Sequence, residues 1–180
     1  MAQNSSDKIS QARHLCERGE WPDVLAFAHR WQQENPADHR AHYYLGLGHS
    51  GLEEFDEAEA AYRRALALDR TDAKVWGNLA MVLYEHLDRP VEAIQCVQEA
   101  LKLDPNHKVG WANLATMFGR LGHHDRAMAY ADRALALDPK LVEAYLHKGT
   151  AALALGKMDA VKEVCDALAN IEPERFRRAR

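Results

Sequence analysis

Residues 75–85 read VWGNLAMVLYE and residues 110–120 read GWANLATMFGR, so nearly the same segment occurs twice at a spacing of 35 residues. Trp76 of the first copy corresponds to Trp111 of the second, and Asn78 corresponds to Asn113. A segment that returns at a fixed period of this size predicts a fold made of stacked copies of one small unit.

The period extends over most of the chain. The segment ALALD occurs at 65–69, ALKLD at 100–104 and ALALD again at 134–138. One extra residue in the segment EHLDRP, at 85–90, accounts for the longer spacing of the third repeat. We therefore predict a single domain over residues 1–180 that ends in a short basic tail at 176–180. The predicted repeats are residues 5–38, 39–72, 73–107, 108–141 and 142–175.

Each repeat shows the spacing of two amphipathic helices. In the fourth repeat Trp111, Leu114 and Phe118 recur every three or four residues, which places them on one helix face. The segment LGHHD interrupts this pattern, and Asp125 is expected to begin a second helix. That helix is expected to end at Asp138, because the proline that follows cannot continue a helix. The pattern predicts helix-turn-helix units and an all-α fold.

The repeats resemble those of the tetratricopeptide repeat family. The family's pattern has an aromatic residue, Leu-Gly or Leu-Ala, two spaced alanines and a terminal proline. The residues that match it best are Trp76, Leu79, Ala80, Ala93, Ala100 and Pro105, then Trp111, Leu114, Ala115, Ala127, Ala134 and Pro139. The resemblance covers almost the whole chain and implies a right-handed α-solenoid of about five units. Val24 and Val161 depart from the pattern in the outer repeats, as expected of repeats with one neighbour.

Composition restricts the function further. The formal net charge of −4 and the pI near 6.2 argue against attraction to nucleic acid or to anionic lipid. No stretch is apolar over the ~18 residues that a membrane span needs, so we expect a cytoplasmic protein. Cys16, Cys96 and Cys165 are too widely spaced for a disulfide framework or a zinc site and are expected to be reduced.

The resemblance implies a non-enzymatic adaptor or co-chaperone. Members of the family bind a peptide segment of another protein in a concave groove that the first helix of each repeat lines. The ligand is expected to be an extended or helical peptide, held by apolar residues at the centre and charged residues at the rim. The implied peptide-binding residues are Arg40, Tyr43, Tyr44, Leu47, Lys74, Asn78, Met81, Tyr84, Asn113, Thr116, Arg120 and His147.

Asn78 and Asn113 occupy equivalent positions on the first helices. A side-chain amide carries both donors and an acceptor, so it can pair with any peptide backbone. Asparagines at this position form a ladder along bound peptide in some members of the family. The alternative is that these amides are solvated or bonded within the repeats. Met81 and Tyr84 have a similar alternative, since an aromatic or apolar stripe at helical spacing is more often core than site.

Several other functions are not favoured. The family's carboxylate clamp, made of lysine, arginine and asparagine, is not reproduced in any alignment of the repeats, so an acidic chaperone tail is not the expected ligand. His123 and His124 are adjacent in a predicted turn, where they do not converge on a metal, and no cofactor motif is visible. We expect no enzyme activity, cofactor or metal. The competing hypothesis is structural self-assembly, as a homo-oligomer formed through the ends of the repeat stack.

Overall fold

The structure, a computed structural model, describes residues 5–171, and these residues form ten α-helices without a strand. The helices are α1 (Ser5–Glu17), α2 (Trp21–Glu34), α3 (His39–Gly51), α4 (Phe55–Leu68), α5 (Ala73–Glu85), α6 (Pro90–Leu103), α7 (Lys108–Arg120), α8 (His124–Leu137), α9 (Val142–Ala154) and α10 (Met158–Ile171). The prediction of an all-α helical repeat is confirmed. The tail at 176–180 lies outside the described residues.

The helices alternate between 13 and 14 residues, so each repeat is a short first helix and a slightly longer second helix. The first helices begin at residues 5, 39, 73, 108 and 142. The second helix of the fourth repeat begins at His124, one residue before the expected start, and Asp125 lies in its first turn. The extra residue of the third repeat lies in the turn between α5 and α6, where Asp88 has a φ of 50°.

Two compact bodies divide the chain: an N-terminal body, Met1–Leu103, and a C-terminal body, Asp104–Arg180. In the N-terminal body, Phe27, Trp31 and Tyr44 are buried in a core between α2 and α3. The rings of Trp31 and Tyr44 stack with centroids 5.9 Å apart. In the C-terminal body, Ala112 of α7 and Ala144 of α9 are buried where these two helices pack together. Their small side chains allow the two backbones to approach closely.

The aromatic residue near the start of a repeat holds the first helix to the turn that precedes it. Trp76 Nε1 donates to the Arg70 carbonyl and Trp111 Nε1 to the Pro105 carbonyl, both at 2.9 Å. Tyr145 Oη donates in the same way to a carbonyl six residues earlier, at 3.3 Å. This repeated bond satisfies a carbonyl of the turn, and it gives the aromatic position of the sequence pattern a structural role.

Candidate binding surface

The predicted residues of the N-terminal body lie on α3 and α5, the first helices of the second and third repeats. Tyr43 of α3 and Asn78 of α5 are both half-buried, and Asn78 Nδ2 donates a hydrogen bond to Tyr43 Oη at 3.3 Å. Two residues that are 35 positions apart in the sequence therefore form one polar pair between consecutive repeats.

Aromatic rings surround Tyr43. Its ring centroid lies 5.2 Å from that of Tyr44 and 6.2 Å from that of Tyr62. Burial raises the pKa of Tyr43 to about 12, so the phenol remains protonated at physiological pH. Tyr43 consequently keeps one O–H donor while its oxygen accepts from Asn78.

Tyr44 lies deeper in the fold than Tyr43. Only 7% of its surface is exposed, and its hydroxyl donates to the Ile9 carbonyl at 3.4 Å. Leu47 packs against the same core cluster and is half-buried. Tyr44 therefore offers a partner little surface and chiefly supports the position of Tyr43.

The cationic residues of this face differ in how they are engaged. Arg40 Nε and Nη2 bind the two carboxylate oxygens of Asp38 at 2.8 and 2.9 Å, and its guanidinium lies 5.8 Å from the centroid of the Trp31 ring. Lys74 is exposed at the start of α5. Met81 and Tyr84 are half-buried further along that helix. Arg40 is thus part of a structural ion pair, and Lys74 is more accessible to an acidic group of a partner.

In the C-terminal body, Thr116 of α7 and His147 of α9 form a second polar pair between consecutive repeats. Thr116 Oγ1 lies 2.8 Å from His147 Nε2 and 3.1 Å from the Ala112 carbonyl. Thr116 Oγ1 donates to that carbonyl, and the tautomer of the His147 ring determines which atom donates in the contact with Nε2. Burial lowers the pKa of His147, which keeps its ring neutral. Asn113 is half-buried and Arg120 is exposed on α7.

The first repeat contains a cation–aromatic cluster that the repeat pattern does not predict. Lys8 is 5% exposed, its Nζ lies 2.5 Å from Glu34 Oε2, and it approaches the Trp31 ring to 5.7 Å. Lys8 stands 34 residues before His42, at the position that holds an aromatic residue in the later repeats. Its departure from the pattern was therefore visible in the sequence, but its burial was not.

The remaining features limit the kinds of site present. Within residues 5–171, no group of three or more His, Cys, Asp and Glu side chains is placed to hold a metal ion. Over the same residues, every helix is too short or too polar to cross a membrane. The cysteines of the described chain are free: Cys96 is buried, Cys16 is half-buried and Cys165 is exposed.

Comparison with known proteins gives matches over most of the chain. The tetratricopeptide repeat model matches residues 46–108 and 113–171. Small glutamine-rich tetratricopeptide repeat-containing protein 2 of Mycosarcoma maydis is 31% identical over 100 residues, which are 56% of this chain and 27% of that protein. The chain therefore spans about a quarter of the length of this relative.

Solved structures share the fold at low sequence identity. The crystal structure of MamA superposes with a TM-score of 0.84 at 16% identity, over 98% of this chain and 99% of that one. The structure of YrrB, described as a TPR protein with an unusual peptide-binding site, gives a TM-score of 0.79 at 21% identity, over 96% of this chain and 89% of that one. At these identities the likeness establishes the fold alone.

Proposed function

The chain belongs to the tetratricopeptide repeat family, and we propose that it is a non-enzymatic adaptor or co-chaperone of the cytoplasm that binds a peptide segment of another protein. The observation that carries the proposal is the first-helix face of the N-terminal body. There the polar pair of Tyr43 and Asn78 lies on the same two helices as the half-buried apolar side chains of Leu47 and Met81. Mixed surfaces of this kind suit a ligand that brings both backbone and side-chain groups.

The family supports a binding role because its repeats stack into arrays whose neighbouring helices present extended surfaces. YrrB carries a peptide-binding site on the same fold, according to its description. We propose a role of the same kind for this chain. The binding residues we assign are the polar, apolar and cationic residues of the first helices, which include Lys74 in the N-terminal body and Asn113, Thr116, Arg120 and His147 in the C-terminal body.

The burial of this face limits the affinity. Complete burial of a large apolar side chain contributes ~1.5 to 3 kcal/mol. Tyr43, Leu47, Met81 and Tyr84 are already mostly buried, so a ligand gains at most about a third of that from each, roughly 2 to 4 kcal/mol in total. Association also has an entropic cost. We therefore expect affinities in the micromolar range or weaker from one peptide segment.

The test is affinity capture from a lysate of the source organism, compared with the variant Asn78→Ala/Met81→Ala/Asn113→Ala. A matched control carries three alanines at exposed positions of second helices: Gln33, Gln95 and Lys162. Circular dichroism must show equal helical content in all three proteins. We expect a partner that the parent and the control capture and that the first-helix variant does not. Retention of the same partner by that variant would show that another surface binds it.

A second candidate function, self-assembly, is favoured by exposed apolar side chains on the last repeat. Leu146 and Leu153 of α9 are 51% and 58% exposed, and Met158 at the start of α10 is 63% exposed. The segment that follows this end, which includes Phe176, lies outside the described residues. If this end assembles, the light-scattering mass should rise with protein concentration and should no longer do so after Leu146→Gln/Leu153→Gln. A constant monomer mass would exclude assembly.

A further inference from the structure

The exposed leucines of α9 lie on a helix face that is covered in the preceding repeat. Counting from the start of each first helix pairs three residues of α7 with three of α9: Ala112 with Leu146, Thr116 with Thr150 and Gly119 with Leu153. Ala112 is 2% exposed and belongs to a buried cluster with Ala144 of α9. Leu146 and Leu153 are 51% and 58% exposed, so the described residues leave the equivalent face of α9 uncovered.

This face of α9 can be covered by an apolar partner at little cost in hydrogen bonding. Thr150 Oγ1 donates to the Leu146 carbonyl at 2.8 Å, within α9 itself. Because this donor is bonded inside its own helix, contact with an apolar surface leaves the bond intact. Leu146 and Leu153 are seven residues apart, which is two helical turns, so they lie on the same side of the helix.

The first helix α1 of a second copy is not a suitable cover. A head-to-tail stack would place α1 of one copy on α9 of the other, as α9 lies on α7. Asp7 is the third residue of α1, as Ala144 is of α9, and Asp7 is exposed. An aspartate buried against leucine would lose water without gaining a partner. Leu146 is also larger than Ala112, so α9 does not offer the close approach by which α7 holds its neighbour.

We propose that α9 packs against α9 of a second copy, antiparallel about a two-fold axis at Thr150. Leu146 of each copy then contacts Leu153 of the other, since these residues lie four and three positions from the axis. Glu143 and Lys157 are exposed and are each seven positions from Thr150, so the axis brings Glu143 of one copy near Lys157 of the other. Leucine therefore meets leucine and acid meets base, as a self-complementary interface requires. This inference rests on the second candidate function, self-assembly, and specifies its geometry.

Lys157 can make this contact although it already has a partner within the chain. Its Nζ lies 3.0 Å from Asp125 Oδ1, and its side chain is still 50% exposed. Exposed ion pairs of this kind contribute little to stability, so the lysine can exchange one carboxylate for another or contact both. The backbone N–H of Lys157 donates to the Ala152 carbonyl at 2.9 Å, which holds this residue close to the end of α9.

The experiment measures the dissociation constant of the dimer by sedimentation equilibrium of the 180-residue chain. Low ionic strength is used, because salt screens exposed charges. The variants are Glu143→Lys, Lys157→Glu and the double exchange in one chain, and circular dichroism must show the parent's helical content in each. One 13-residue helix from each copy gives a small interface, so we expect a dissociation constant in the micromolar range or weaker for the parent.

Two matched controls change the same charges elsewhere. Glu57→Lys replaces an exposed acidic residue in the first turn of a helix, which is also the setting of Glu143. Lys108→Glu removes an exposed lysine that pairs with Asp138 at 2.6 Å, as Lys157 pairs with an aspartate. The controls therefore report any effect of net charge, helix stability or a lost surface ion pair.

We expect each single reversal at Glu143 or Lys157 to weaken the dimer by about tenfold or more, because like charges then face each other at two places. The double exchange should return the dissociation constant to within about threefold of the parent value. The two single variants, when mixed, should form a heterodimer in preference to either homodimer. One of them has lysine at both positions and the other has glutamate at both, so opposite charges meet only between different chains. The controls should change the dissociation constant by less than about twofold.

Other results separate this inference from the second candidate function. If dimers form but the single reversals act no more strongly than the controls, self-assembly is correct and the two-fold arrangement at Thr150 is wrong. A mass that rises beyond that of a dimer would indicate open stacking and would also overturn the arrangement. If the chain is a monomer at every concentration, as expected if residues 172–180 cover α9, self-assembly and this inference both fail.

Discussion

Alanine in place of Gly46 should destabilise the protein relative to alanine in place of Gly77, although both changes put the same residue into a first helix. A Cβ at Gly46 would lie 2.4, 2.5 and 2.8 Å from three carbon atoms of the Tyr62 ring. Favourable carbon contacts lie at roughly 3.5 to 4.0 Å, so the ring would have to move by about 1 Å. Tyr62 is 1% exposed, and a ring in a closely packed interior moves only at a cost in free energy.

The size of the effect follows from comparing the two variants. Both gain the ~1 kcal/mol by which alanine is favoured over glycine in a helix. A Cβ at Gly77 would meet no atom within 4 Å apart from its chain neighbours and the backbone of its own helix. Only Gly46→Ala therefore adds overpacking, which typically costs about 1 to 3 kcal/mol. We therefore expect Gly46→Ala to have a free energy of unfolding about 1 to 3 kcal/mol below that of Gly77→Ala.

The assay is urea denaturation followed by far-ultraviolet circular dichroism, with both variants and the parent measured under the same conditions. A double-mutant cycle with Tyr62→Leu adds a specific control. The flexible leucine can yield to the new methyl group, so Gly46→Ala should cost less in that background than in the parent. Equal stability of the two alanine variants would refute the reasoning, because it would show that Gly46 is not required for close helix packing.

Three further predictions concern other positions. Burial lowers the pKa of His42. The neutral ring should therefore contribute its full stabilisation above a pH of about 6.5, and the free energy of unfolding should fall as the pH drops below that value. The variant His42→Gln should flatten this part of the pH dependence of the urea midpoint. The variant Trp111→Phe loses the hydrogen bond to the Pro105 carbonyl, so its free energy of unfolding should be roughly 0.5 to 1.5 kcal/mol lower in the same denaturation assay. An unchanged free energy of unfolding would show that this bond does not stabilise the protein. A maleimide should label exposed Cys165 rapidly, as followed by mass spectrometry. Burial raises the pKa of Cys96 to about 11, so Cys96 should react only after unfolding. Equal labelling rates of the two cysteines in the native protein would contradict the assigned burial.

The fold was predictable because the repeat period is strong in the sequence. Trp76 and Trp111 recur with the same surroundings, and each helix needs only its own spacing of apolar residues to be recognised. The start of α8 was misplaced by one residue, since Asp125 is a good helix-starting residue that here lies in the first turn. Helix ends depend on local capping geometry, which residue type determines only in part.

The candidate site was less predictable from the sequence. Periodicity placed Tyr43 and Asn78 on first helices, but their hydrogen bond depends on side-chain rotamers and on the packing of two repeats. The same pattern grouped Tyr44 with the binding residues, and the structure places it almost entirely in the core, against Trp31. Adjacent residues on a helix point about 100° apart, so a boundary between core and surface can fall between them. The period does not locate that boundary.

The most direct test of the peptide-binding claim is site-specific photo-crosslinking. The photoreactive residue p-benzoylphenylalanine is placed at Met81 on the first helix α5 in one protein and at exposed Gln95 on the second helix α6 in another. Both proteins are irradiated with the captured partner and analysed by mass spectrometry. We expect a crosslink to one peptide segment of the partner from residue 81 and none from residue 95. A crosslink from residue 95 without one from residue 81 would contradict the peptide-binding claim.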